Sequence, residues 1–287
     1  MRYEAQAGHG RAAWPKETYM RVIKWTLSLC VAALSLANAG VAQQARSERV
    51  IAADHARQGV ASDGESIYVI DNSTITRILI ANRQVSGEWT GDKDLFPHLN
   101  SCTVVEVELV CASSNYPAVP QLSTVEIFDL EALQHKESIA LGPMPGSLTT
   151  LDRHDGKWWA TFANYDDRGT PEGRSHRDSF VAQLDDDFRI IRMWGLPDAV
   201  LDRLAPSSIS GASWSEDGQL YLSGHDRPEL YVVALPQAGG ILRHIATIGI
   251  DTHGQAIDID PADKTLIWSI NRDSRAVHAS RLPSLAN

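Results

Sequence analysis

The residues of this chain best suited to chemistry are four histidines in the loops of four different units of a recurring phrase: His55, His98, His225 and His253. Each has polar company: Arg57 and Gln58 after His55, Asn100 after His98, Asp226 after His225, Gln255 after His253. Imidazole exchanges protons near neutral pH, and a carboxylate beside it can fix its orientation. The stretch "GHDRPELY", residues 224–231, shows the pairing most plainly. A turn between strands needs Gly224 and Pro228 but gains nothing from an imidazole at its tip. His225 with Asp226 is therefore the first candidate for an acid–base group, and His98 the second. The plain alternative is a solvated turn in which Asp226 caps its own loop backbone.

Other residues supply what a reacting ligand needs. Arg57 or Arg272 suits a two-pronged clamp on a carboxylate. The amides of Gln58, Asn100, Asn115, Asn164 and Gln255 and the Tyr116 hydroxyl suit a polarised carbonyl or a developing enolate oxygen. With His55 these form the expected substrate-binding set. Together they fit proton abstraction beside a carbonyl, lactone opening or closing, or β-elimination. No G-x-S-x-G nucleophile elbow, P-loop or dinucleotide fingerprint is present. No cofactor is expected. The runner-up is a divalent metal held by converging imidazoles, although no H-x-x-x-H spacing supports it.

These residues need a scaffold that gathers loops from distant parts of the chain. Short β-rich runs recur with turn signals between them, and helical periodicity is nearly absent after residue 42. One phrase returns five times: "QGVASDGESIYVID", "LNSCTVVEVELVCASSN", "SLTTLDRHDGKWWATFAN", "SGASWSEDGQLYLSGHD" and "GQAIDIDPADKTLIWSINR". A third strand follows each, and most have a fourth. The spacing of roughly 40 to 50 residues is that of propeller blades. The fifth unit lacks a fourth strand, and "SERVIAA", residues 47–53, has no partner of its own. Pairing the two closes a ring and removes sheet edges. The reading is all-β: a single five-bladed β-propeller over residues 45–287, closed by an N-terminal strand. A β-sandwich would not explain the period.

On that scheme the lead-in loops and the loops between second and third strands share one face, and all the polar residues above fall there. The turns "SDGE", "RHDGK", "SEDG" and "PADK" fall on the other. The insertions "YPAVPQL" and "YDDRGTPEGRSHRD" also belong to the first face, and loops that long commonly wall or cover a site. Trp158, Trp159 and Trp268 lie in second strands and read as packing between blades.

Composition bounds the partners. Residues 1–42 carry five Lys/Arg and two Asp/Glu, so removing their +3 from the net charge of −10 leaves −13. So acidic a surface repels phosphate backbones, which argues against nucleic acid. From Met20 a basic start, an apolar run and small residues lay out a signal peptide over residues 20–42, cleaved after Ala39 or Ala42. Residues 1–19 then read as an extension ahead of the true start. The apolar run is shorter than the roughly 20 residues of a membrane span. The expected protein is periplasmic or secreted, a monomer, and its partner is a small-molecule substrate. Cys102 and Cys111 flank a fold-back near Glu106 and Val107, which places them opposite one another. An oxidising compartment then favours a disulfide over two packed thiols.

At "HARQGVASDGESIYVIDNSTITRI", "HLN" with "SSNYP", "GKWWATFANY", "LYLSGHDRPELYVVALP" and "GQAIDIDP", the chain resembles a bacterial family of secreted propellers usually labelled cycloisomerase. The resemblance runs over about residues 50–285. It implies a propeller and, as activity, cycloisomerase or lactonase chemistry. The alternative from a different class is a propeller that binds a small sugar or peptide without reacting.

Overall fold

The structure, a computed structural model, describes residues 43–285. The expected signal peptide at 20–42 and the extension at 1–19 lie outside the described residues. The chain folds as a five-bladed β-propeller. Blade I holds β3 (Gly59–Ser62), β4 (Ser66–Asp71), β5 (Thr74–Leu79) and β6 (Val85–Thr90). Blade II holds β7 (Leu99–Val105), β8 (Glu108–Ser114), β9 (Leu122–Asp129) and β10 (Gln134–Pro143). Blade III holds β11 (Ser147–His154), β12 (Lys157–Ala163), β13 (Phe180–Leu184) and β14 (Ile190–Gly195). Blade IV holds β15 (Gly211–Trp214), β16 (Gln219–Ser223), β17 (Glu229–Ala234) and β18 (Arg243–Gly249). Blade V holds β19 (Asp258–Ile259), β20 (Leu266–Asn271) and β21 (Ala276–Arg281).

Ring closure follows the sequence reading. Strand β2 (Arg46–Ala52) pairs antiparallel with β21 and is the outer strand of blade V. The preceding β1 (Gln43–Gln44) adds a parallel strand to β18 of blade IV, which the sequence reading did not anticipate. The amino-terminal segment therefore bridges two blades.

Burial explains why these residues make these strands. Second strands such as "SIYVID" are covered on both faces by neighbouring blades, so their apolar residues run nearly unbroken. Outer strands such as "VSGEWT" stay largely exposed. Five apolar clusters fill the five seams between blades. Trp268 and Val60 meet between V and I, and Tyr68 and Leu109 between I and II. Trp158 and Phe162 pack between II and III, Trp159 and Trp214 between III and IV, and Tyr221 and Ile267 between IV and V. At about 25 cal/mol per Å² of apolar surface, these seams are the main stabilising term. Helix is scarce: α1 (Asp198–Leu204) buries Val200, Leu201 and Leu204 in the III–IV seam.

Two local features cross-link the inner strands, one within a blade and one between blades. Cys102 and Cys111 stand directly opposite in the β7–β8 ladder and form a disulfide. On the axis, Asp152 accepts from the Trp214 N–H at 2.8 Å and the Thr103 hydroxyl at 3.4 Å. Asp258 accepts from the Ser62 N–H at 2.8 Å and the Ser213 hydroxyl at 3.3 Å. Each carboxylate thus ties its own inner strand to both neighbours.

Candidate functional site

At one end of the axis the lead-in loops and the second-to-third loops of all five blades meet around a cavity of about 370 Å³. Gln58, Asn100, Thr149, Ser210 and Gln255 line it at the starts of the inner strands. Asn72, Tyr116, Tyr165, His225 and Arg272 come from the second-to-third loops, and His98 from the lead-in of blade II. Seven of the expected site residues therefore share one cavity: Gln58, His98, Asn100, Tyr116, His225, Gln255 and Arg272.

His98 is the best-defined group. Its Nδ1–H donates to Asn72 Oδ1 at 2.8 Å, and Gln58 Nε2 donates to the same oxygen at 2.7 Å. Burial and the nearby Arg272 charge push the imidazole down to about 4, against a smaller opposing pull from Asp71. His98 is neutral at physiological pH, with its proton on Nδ1 and a lone pair on Nε2. Among the described residues nothing bonds to that Nε2.

The opposite wall is a chain of three residues. Arg272 Nη1 lies 3.2 Å from His225 Nε2, and His225 Nδ1 lies 2.7 Å from Asp226 Oδ1. A guanidinium only donates, so His225 accepts at Nε2 and its own proton faces Asp226. Both imidazole nitrogens are engaged, which leaves His225 no free lone pair for a substrate proton. Of the two imidazoles on the cavity, His98 is the one with an unengaged ring nitrogen.

The floor is built from amides. Asn100 spends both amide hydrogens on Ser114 Oγ (3.1 Å) and the Leu148 carbonyl (2.8 Å), leaving its Oδ1 to the cavity. Gln255 is 5% exposed with a φ of +75°, an uncommon conformation for a side-chain-bearing residue. Its carbonyl accepts from Ser223 Oγ at 2.5 Å, which fixes that backbone.

The two insertions form the remaining wall. Arg168 Nε donates to the Tyr116 hydroxyl at 3.1 Å, and the Tyr116 and Tyr165 rings lie 4.9 Å apart. Gly169, with φ of +70°, lies so close that a Cβ there would fall 2.5 Å from the Tyr116 ring. Gln121 Nε2 donates to the Gly169 carbonyl at 2.7 Å, and Asp166 pairs with His176 at 2.8 Å. The long insertion is pinned at several points along its length.

Five expected residues lie elsewhere. His55 bonds Thr76 Oγ1 at 2.8 Å, and Arg57 pairs with Asp71 at 3.2 Å outside the cavity. Asn115 braces its own loop, bonding the Pro120 carbonyl and the Leu122 N–H. Asn164 is fully buried and holds the base of the long insertion through the Pro145 and Asp178 carbonyls. Asp226 stands behind His225, away from the cavity wall. His253 pairs with Asp273 at 3.2 Å, so the four histidines do not converge. Among the described residues no group of three or more His, Cys, Asp or Glu is arranged to hold a metal ion.

Sequence reasoning left Asn72, Thr149, Ser210, Tyr165, Asp167 and Arg168 out of the site, and all six line it. Asn72 follows Asp71 in what reads as an ordinary tight turn. The length and charge of the 165–178 insertion did signal Tyr165, Asp167 and Arg168 as a group.

No family model matches the chain, and no curated protein matches it. Among solved structures, an aldose sugar dehydrogenase from Streptomyces coelicolor in its PQQ-bound form is similar at 13% identity and a TM-score of 0.48, over 85% of this chain and 82% of that one. A chain from a mitotic checkpoint complex is similar at 10% identity and a TM-score of 0.44, over 92% of this chain and 99% of that one.

Proposed function

We propose that this propeller is an enzyme performing acid–base chemistry on a small anionic or cyclic substrate, of the cycloisomerase, lactonase or lyase type. The observation that carries the reading is His98: neutral, oriented through Asn72, with a free Nε2 in the same cavity as Arg272. Arg272 takes the substrate's anionic group, and His98 Nε2 accepts or returns the proton. Asn100 Oδ1, the Gln255 amide and the Tyr116 hydroxyl hold the remaining polar atoms of the ligand. The resemblance of the blade phrases to cycloisomerase-type propellers supports the same class.

Charge coupling makes the scheme workable. An imidazole titrating near 4 is a weak base at neutral pH. A substrate anion on Arg272 offsets the smaller of the two causes that depress His98, burial being the larger, and its own negative charge favours the imidazolium, so the imidazole rises on binding. Binding and proton transfer are therefore linked.

The Cys102–Cys111 disulfide favours an oxidising compartment, so the proposed location is the periplasm or the exterior. Among the described residues no helix is long and apolar enough to cross a membrane.

The test is a screen of lactones, enol-lactones and 3-keto sugars with purified protein, with and without chelator. Turnover that disappears in His98→Gln upholds the reading. Turnover untouched by His98→Gln sinks it, and loss on chelation shifts the chemistry to a metal. Binding without turnover makes this a ligand-binding propeller instead.

A further inference from the structure

The geometry points to His225 and Asp226 as positioning residues that aim Arg272 at the cavity, rather than as groups that exchange protons with the substrate. The inference rests on the anion-binding reading above and gives these two residues a different task within it.

Bonding direction carries the argument. Arg272 has five N–H donors and no acceptor, so its contact with His225 Nε2 at 3.2 Å requires an imidazole lone pair there. Asp226 Oδ1, 2.7 Å from Nδ1, selects that tautomer by accepting the ring proton. The chain therefore runs in one direction, Arg272 to His225 to Asp226. Asp226 is 44% and His225 41% exposed at the side chain, so the chain starts on the guanidinium and ends at the rim.

Arg272 also has no carboxylate partner of its own. Arg57, Arg203 and Arg281 each have a carboxylate oxygen within 4 Å. Among the described residues Arg272 has none and lines the cavity; Arg168 on the same cavity also has none, but its Nε is spent on the Tyr116 hydroxyl. One N–H is spent on His225 and the rest are free for a ligand carboxylate, which pairs well with a guanidinium fork.

The backbone beneath His225 is fixed as well. A Cβ at Gly254, whose φ is +74°, would lie 2.4 Å from the His225 carbonyl oxygen. The lead-in loop of blade V therefore packs directly on His225, and only glycine permits that approach.

The test separates positioning from proton transfer and needs no known substrate. Ring ¹⁵N shifts of His225 should report the proton on Nδ1 and the lone pair on Nε2, and Arg272→Met should move the Nε2 resonance. Acetate serves as the anionic probe and acetamide as the neutral control, both followed at the His98 ring protons. Wild type should bind acetate in preference to acetamide. His225→Leu should weaken acetate by about tenfold, the scale of one charge-assisted hydrogen bond. His225→Gln offers Arg272 an acceptor and Asp226 a donor, and should recover most of that loss. A proton on Nε2, or acetate binding unchanged in His225→Leu, overturns the positioning role while wild-type acetate binding still upholds the anion site. Failure of wild type to distinguish acetate from acetamide overturns both.

Discussion

Asn72 Oδ1 lies 2.8 Å from His98 Nδ1, and this contact decides which nitrogen of the imidazole faces the cavity. Replacing Asn72 with Asp keeps the shape and adds a negative charge at hydrogen-bond distance. A carboxylate there favours the imidazolium, so Asn72→Asp should raise the His98 titration by at least about one unit. The ring ¹H shift of His98 followed against pH measures it. An unchanged titration would mean that Asn72 does not face the ring.

The pH dependence of turnover should carry the same signature. In the free protein His98 titrates at about 4, below the ordinary histidine value of 6.5. Since kcat/KM reports the free enzyme and kcat the complex, the acid limb of kcat/KM should lie near 4. With an anionic substrate on Arg272, the acid limb of kcat should lie higher. His98→Gln should lower kcat by about 10² to 10⁴ and remove both limbs. Coincident limbs near 6.5 would assign the base to another histidine.

The sequence made the propeller legible because a blade is a local object. Its strands are neighbours in the chain, so the alternation, the Asp-Gly turns and the period survive without any long-range information. The closing strand could be read because blade V was one strand short. The Gln43–Gln44 pairing with blade IV could not, since two polar residues carry no strand pattern. The site was legible as a face, because loop position fixes which end of the axis a residue reaches. Which side chain turns inward depends on partners from other strands. His55 sits three residues from Gln58 in one loop, yet Thr76 takes His55 and Asn72 takes Gln58. Asn72 and Asp226 both resemble turn chemistry, and only the structure separates the residue on the wall from the one behind it.

Arginine geometry gives a third expectation. Arg272→Lys keeps the charge but loses the planar fork, and a lysine bonded to His225 has fewer directed donors left for a carboxylate. Binding of an anionic substrate should weaken by about tenfold or more, seen as a raised KM with a smaller change in kcat. Equal loss of kcat and kcat/KM would instead place Arg272 at the reacting bond.

The disulfide should matter for stability more than for chemistry. Cys102 and Cys111 are nine positions apart, and closing so short a loop stabilises by about 2 to 3 kcal/mol in the chain-entropy account. Cys102→Ser with Cys111→Ser should lower the urea midpoint while leaving acetate binding in place, because neither sulfur lines the cavity. Loss of acetate binding at full folding would show that the disulfide shapes the site directly.

The last expectation concerns the axis below the cavity. Burial pushes Asp152 up to about 6, and burial together with the Asp152 charge holds Asp258 well above the ordinary carboxylate range. A carboxyl whose folded pKa is raised binds more protons folded than unfolded. Its protonated form is therefore fully accommodated below about 4, and stability declines as pH rises through about 6. Once both carboxyls ionise, the two charges repel across the axis, opposed by the donors on Trp214, Thr103, Ser62 and Ser213. Asp258→Asn keeps an oxygen for the Ser62 N–H and removes one charge, so it should stabilise by about 1 to 3 kcal/mol at pH values where the wild-type carboxyl is ionised. The gain should shrink toward pH 4, where wild type carries the proton itself. Asp258→Leu removes the acceptor as well, strands the Ser62 N–H and should destabilise at every pH. Thermal unfolding of the three proteins at several pH values separates the outcomes. If Asp258→Asn is less stable than wild type even at the highest pH measured, the charged carboxylate is a net stabiliser of the ring, and its hydrogen bonds outweigh the repulsion.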